Sequence, residues 1–155
     1  VAIHHGELIP SLVSALEEEY YADTRAAACH AMRHLLLTAG DKLTDDHRRA
    51  VYPELLKRMD DSRNEIRVAG AGVVAAFFEA MPNDYDETNT GYLLKGFVVH
   101  MDDPDPSVQE AVCAACVIAA GKKREAVSEA MNAARATHRH PRYIDRVIEA
   151  VRGVA

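Results

Sequence analysis

Met59-Asp60-Asp61 returns as Met101-Asp102-Asp103, and the apolar residues around it return in the same register. Val51, Tyr52, Leu55, Leu56 and Met59 fall on Leu93, Leu94, Phe97, Val98 and Met101, an offset of 42 residues without a gap. Stepping back 43 residues reaches Leu8, Ile9, Leu12, Val13 and Leu16. Each set is spaced i, i+1, i+4, i+5, i+8, the apolar stripe of an amphipathic helix. A period of this length means that one supersecondary unit is built again and again. Such a unit cannot bury its apolar face alone, so neighbouring copies must stack.

Each first helix ends in an acidic or Pro-rich turn ("EEEYYAD", "DDSRN", "DDPDP"), and a second helix follows. Thr24, Ile66 and Val108 align there, as do Arg25, Arg67 and Gln109, and Ala27, Ala69 and Ala111. The recurring alanine predicts a close helix–helix contact. Pro10 and Pro53 share a place in two first helices, where a kink is expected. Thr44, and one of Thr88, Asn89 or Thr90, are expected to cap the helices that follow them. A shorter fourth unit repeats the stripe with Ala126, Val127, Ala130, Met131 and Ala134, breaks at "HRHPR", and ends in a face of Tyr143, Ile144, Val147, Ile148 and Val151 before Gly153. No stretch alternates as a strand does. These features predict one all-α domain over 1–155, an α-α superhelix of about 3.5–4 hairpins with units near 4–40, 44–82, 88–121 and 122–153. Two helices per unit and a Pro in the first helix indicate HEAT-like repeats.

Several motifs compete with that reading. Gly70-Ala71-Gly72-Val73-Val74-Ala75 spells the G-x-G-x-x-A of a dinucleotide loop, but that loop needs a strand before its first Gly. "DDSRNEIR" precedes it here, and the repeat sets Gly70 and Gly72 opposite Ala28 and His30, in mid-helix. Packing between stacked hairpins is the expected use of both glycines. Cys113 and Cys116 form C-x-x-C without a second pair or a βαβ setting, so they read as buried small residues. His30 and His34 lack the Glu of an H-E-x-x-H site, and His4, His5, His138 and His140 lie near the ends of the chain. The acid pairs Asp60-Asp61 and Asp102-Asp103 are expected to accept backbone N–H groups opening the second helices, and to pair with Arg67 or the next repeat's Arg. The charge-free stretch 112–120 becomes a smooth groove for a partner helix if part of it is exposed. No Ser/His/Asp or Cys/His set stands out. The expectation is therefore a protein that is not an enzyme and has no cofactor or metal.

The net charge of −6, from 18 basic and 24 acidic residues in 155, argues against nucleic acid as the main partner. No apolar run has the roughly 20 residues of a membrane span. Three cysteines in apolar surroundings favour a reducing, intracellular setting.

"VYPELLKRMDDSRNEIRVAGAG" at 51–72, "LLKGFVVHMDDPDPSVQEAV" at 93–112 and "ATHRHPRYIDRVIEAV" at 136–151 are similar to the C-terminal repeats of the HEAT-repeat axonemal dynein assembly factors. Gly70, Gly72 and "RHPRY" depart from that pattern. The resemblance implies a C-terminal fragment of a longer solenoid: a cytoplasmic scaffold that preassembles ciliary dynein arms and binds dynein chains and chaperones. It supplies no binding residues. The repeat register itself puts Arg33, His34, Glu65, Glu79 and Gln109 on an outward second-helix face, next to a basic end with Arg142 and Arg146, and this is the expected protein-binding surface. The alternatives are a general HEAT adaptor in transport or phosphatase regulation, and an enzyme of the HEAT-like glycosylase or bilin-lyase type, which would need polar groups converging in a deep pocket. A truncated edge near Leu8 and Leu12 would favour dimers in vitro.

Overall fold

A computed structural model describes residues 4–139 and 141–153. Among them are eight α-helices and no strand: α1 (Leu8–Leu16), α2 (Ala22–Ala39), α3 (Asp45–Met59), α4 (Asn64–Ala80), α5 (Glu87–Val98), α6 (Pro106–Ala120), α7 (Arg124–Arg135) and α8 (Arg142–Gly153). Consecutive helices pair as hairpins. The even-numbered helices pack side by side in one layer, and the shorter odd-numbered ones pack alongside in a second. This is an all-α helical repeat solenoid.

The repeated stripe is the reason the layers hold. Val51, Leu55 and Met59 of α3, and Leu93, Phe97 and Met101 at the next repeat, are all buried. They meet the second helices through Val74, Phe77, Val108 and Val112, and a single core runs from Ile9 to Val151. Burying each large apolar side chain is worth about 1.5–3 kcal/mol, so this continuous apolar core, within and between hairpins, carries most of the stability. Thr44 caps α3 as expected, in a reciprocal box with His47. The cap of α5 is Asp86, which accepts Asn89 N, and not one of the residues from 88 to 90. A carboxylate outbids a hydroxyl there because it adds charge to the positive helix start. Pro10 stands in the first turn of α1, where no helical hydrogen bond is lost, whereas Pro53 lies inside α3.

The acid pairs couple one hairpin to the next. Arg25 of α2 donates to both carboxylate oxygens of Asp61, at 2.7 and 3.1 Å. Arg67 of α4 does the same to Asp103, at 2.8 and 3.0 Å. In each case the arginine belongs to the preceding hairpin, so Arg67 does not pair with the Asp61 of its own turn but donates to its backbone carbonyl at 2.8 Å. Asp61 and Asp103 also accept the backbone N–H of Arg63 and of Asp105. The neighbouring carboxylates reach the other way: Asp60 lies 3.7 Å from His100, and Asp102 accepts from the backbone N–H and the guanidinium of Arg139. Each Asp-Asp pair thus serves the hairpin before it and the hairpin after it.

Gly70 is needed inside its own hairpin. A Cβ there would stand 3.2 Å from Arg58 Cβ and 3.4 Å from Met59 Sδ of α3. Gly72 does face the preceding hairpin, but a Cβ would meet Arg33 Cδ at an ordinary 3.8 Å. The expected packing between stacked hairpins therefore holds only for Gly72, and loosely. The recurring alanine behaves similarly: Ala69 and Ala111 are half-buried against the preceding helix, while Ala27 is exposed because no described helix lies beyond it.

Two predictions follow from this packing. Arg25→Ala removes the bidentate partner of the buried Asp61, which keeps only Arg58 at 3.3 Å and the Arg63 N–H. It lowers stability in urea unfolding by less than the ~3–5 kcal/mol of a buried charge left alone, and Arg25→Met with Asp61→Leu costs less than the single change. Gly72→Ala gains about 0.5–1 kcal/mol from helix propensity, whereas Gly70→Ala shows no such gain, because α3 must shift to admit the methyl.

Candidate protein-binding surface

The side chains expected to form a surface divide by burial. Arg33 and His34 are exposed on α2, Glu65 and Glu79 on the first and last turns of α4, and Arg142 and Arg146 on α8. Gln109 is buried instead. Its amide donates to Asp103 O at 2.6 Å, the contact that Arg67 makes with Asp61 O one repeat earlier. It stands in the arginine position of the repeat, and that position points into the turn. It therefore drops out of the outward face.

The basic end is partly neutralised within the chain. Arg146 donates to Glu110 of α6 at 2.6 Å, and that guanidinium holds the Glu110 carboxyl below its usual range. Arg135 pairs with Asp145, and Arg139 with Asp102. Arg142 lies over the Tyr143 ring, 4.7 Å from its centroid, and makes no ion pair among the described residues. Between the two ends the face is small and apolar. Ala114 and Ile118 of α6 are exposed, Ala111 and Val117 are half-buried, and Leu37 of α2 is exposed. The 112–120 stretch is thus open along one side only, since Val112, Cys113, Ala115, Cys116, Ala119 and Ala120 face the core.

The thiols suit packing better than redox chemistry. Burial pushes Cys29 up to about 11, and raises Cys113 and Cys116 as well. A thiol held protonated is neither a good nucleophile nor a metal ligand. Cys113 donates weakly to Tyr143 O at 3.8 Å across the α6–α8 seam. His30 and His34 are exposed, and no group of three metal-ligating side chains occurs among the described residues. His140 lies outside those residues. No described helix is long and apolar enough to cross a membrane.

A buried lysine that sequence reasoning passed over fixes the turn before α5. Lys123 Nζ donates to Asn83 O at 2.9 Å, to Tyr85 O at 2.6 Å and to Glu87 at 2.5 Å. It ties the start of the fourth hairpin to the start of the third. Lys122-Lys123-Arg124 offers three adjacent bases, and nothing local marks the middle one as the buried one.

The electrostatics of the seam give it a pH response. Burial is the largest single influence on Asp61 and Asp103 and would raise them, but the arginine and backbone hydrogen bonds, with the neighbouring cationic charge, outweigh it and hold both below the ordinary 3.8. Burial lowers His100 below its ordinary 6.5, against the pull of Asp60 and Asp103.

The chain matches, over residues 2–151, the family model described as stalled ribosome sensor GCN1-like, HEAT repeats. Its curated relatives carry the name dynein axonemal assembly factor 5. The Xenopus laevis protein is 32% identical over 145 residues, 91% of this chain and 17% of the relative. The human protein is 28% identical over 151 residues, 95% of this chain and 18% of the relative. The mouse protein is 29% identical over 109 residues, 68% and 13% respectively. The chain therefore spans less than a fifth of the length of these relatives.

Because the unfolded chain takes up a proton at His100 more readily than the folded one, stability declines as pH falls below about 6.5. A second loss sets in near 3.8, where the unfolded chain takes up protons that the depressed Asp61 and Asp103 still resist, and it is complete once both are protonated in the folded state. Urea midpoints measured from pH 7.5 to 3 report both stages, and His100→Gln is expected to flatten the first while leaving the second.

Proposed function

The chain belongs to the GCN1-like HEAT-repeat family, and from that premise we propose that it is part of a non-catalytic scaffold for the preassembly of axonemal dynein arms. The observation that carries this reading is the likeness to proteins named dynein axonemal assembly factor 5, at 32% identity over 91% of the chain. The scaffold works in the cytoplasm and holds dynein chains and co-chaperones. Repeats suit that task, because they spread binding over many shallow contacts on an extended face.

The face proposed to hold the client is the layer of second helices. Arg33, His34, Glu65 and Glu79 border it toward one end, and Arg142 and Arg146 toward the other. The small side chains of α6 leave room between them for a partner helix. Arg142 is the stronger candidate contact, since Arg146 is already engaged by Glu110. The units near 4–40, 44–82, 88–121 and 122–153 are proposed as the modules that would be exchanged or deleted as wholes.

The test is co-precipitation of dynein chains by the full-length protein from ciliating cells. Arg142→Glu with Arg146→Glu is expected to reduce capture about tenfold, and unchanged capture removes the basic end from the reading. Glu110→Arg with Arg146→Glu restores the pair within the chain in reversed order. It separates loss of a client contact from damage to the α6–α8 seam. Equal client recovery from ciliated and non-ciliated cells would favour a general adaptor.

A further inference from the structure

The fold sorts the six tyrosines of the chain by what surrounds them. Tyr85 and Tyr143 are buried, and Tyr52 is half-buried with its hydroxyl donating to Asn89 at 2.9 Å. Tyr92 is 62% exposed but lies inside α5. Tyr20 and Tyr21 are 85% and 70% exposed, stand side by side in the turn between α1 and α2, and belong to no part of the apolar core. The same two places are Ser62-Arg63 one repeat later and Pro104-Asp105 after that. Nothing in the packing accounts for two successive aromatic rings there.

Stacking does not cover this edge of the fold. Tyr21 leads into α2 as Arg63 leads into α4, and Arg63 is exposed although a hairpin packs on either side of its own. Access to the tyrosines therefore does not depend on what lies next to the first hairpin. Arg25 pins the turn, donating to Glu18 O at 3.0 Å and to Glu19 O at 3.2 Å. Tyr21 has extended backbone, φ −102° and ψ 98°. A kinase takes its acceptor segment in extended form, which Tyr92 could supply only if α5 unwound.

Glu17, Glu18 and Glu19 directly precede the pair. Lys57 lies 3.3 Å from Glu17 but is shared with Glu54 at 2.7 Å, and Glu19 is in no ion pair among the described residues. The approach to Tyr20 is thus anionic, the complement of a substrate groove lined with lysine and arginine. The four residues before Tyr92, Thr88 to Gly91, carry no charge.

We propose that the Tyr20–Tyr21 turn is a phosphorylation site for an acid-directed protein tyrosine kinase, with Tyr20 the principal acceptor. Tyr20 Oη attacks the γ-phosphorus of ATP, and the bond from that phosphorus to the β–γ bridging oxygen breaks. The phenolic proton passes to the carboxylate base of the kinase, and ADP departs. The product adds a charge of about −1.5 to −2 to a turn that already holds three glutamates. Arg25 is already held by Asp61 and by the carbonyls of the turn. The phosphate therefore stays outward, where an arginine-lined pocket of a partner can read it.

The test incubates the whole chain with radiolabelled ATP and a tyrosine kinase chosen for its activity on glutamate–tyrosine copolymer. Tyr20→Phe is expected to lower the initial rate at least fivefold and Tyr20→Phe with Tyr21→Phe at least tenfold, while Tyr92→Phe changes it less than twofold. Glu17→Gln with Glu19→Gln leaves the Glu18 contact to Tyr20 N in place. That variant is expected to lower kcat/KM at least fivefold with an unchanged circular dichroism spectrum. In the full-length protein from vanadate-treated ciliating cells, the phosphate is expected on the tryptic peptide that ends at Arg25, and a tyrosine phosphatase removes it. No incorporation into the whole chain, undiminished incorporation in the double phenylalanine variant, or equal rates with the two glutamines overturns the proposal. So does a cellular peptide that is unmodified, or one whose added group resists the phosphatase as a sulfate does.

Discussion

Two adjacent carboxylates at each turn, one reaching back and one reaching forward, hold the stack in register. A HEAT-type core is a continuous apolar sheet between two helical layers, and apolar contact has no direction of its own. Hairpins joined by burial alone could slide along one another by a helical turn. The bidentate Arg25–Asp61 and Arg67–Asp103 pairs fix that freedom, because a planar guanidinium meets a carboxylate in one geometry and both groups are buried. The same aspartates accept the backbone N–H groups that lead into α4 and α6. The turn, the helix start and the spacing between hairpins are therefore one structure.

The ladder stops at the third hairpin, and the reason is visible in its residues. Gln109 reaches the Asp103 carbonyl of its own turn but is too short, and uncharged, to reach forward. The fourth hairpin also has no Met-Asp-Asp turn to receive it. The last seam is made differently, by the exposed Arg146–Glu110 pair, the Arg139–Asp102 pair, the Cys113 contact to Tyr143 O and the buried Lys123 staple. Exposed ion pairs contribute little to stability. The fourth hairpin is thus held mostly by its own apolar face, with Val127 and Met131 buried, and by Lys123. The weaker polar coupling reflects the divergence of the terminal unit from the repeat.

A scaffold gains from this arrangement. Under the proposed scaffold role, the central hairpins, tied to each other by buried ion pairs, present the face that holds the client. Arg142 and Arg146 sit on the terminal unit. A partner that competes for Glu110 or stacks on Tyr143 would act on the least firmly coupled seam, so binding there and the setting of α8 against α6 are linked.

The sequence by itself determined the fold class, the approximate number of hairpins and the position of the turns, because a 42-residue period with an i, i+4, i+8 stripe is met by stacked helical pairs. It also excluded the dinucleotide reading of Gly70 and Gly72, since a strand signal was missing, and it marked the acid pairs as structural. The direction of the ladder needed the tertiary structure: Asp61 is flanked in sequence by Arg58, Arg63 and Arg67, yet its bidentate partner is Arg25, 36 residues away. Gln109 was misplaced for a related reason, since polarity suggests a surface while its repeat position points inward. The choice of Lys123 among three adjacent bases likewise depends on what a neighbouring hairpin brings near. Periodicity is a local property of the chain and can be read along it. Which polar group is buried against which is settled only when the hairpins come together.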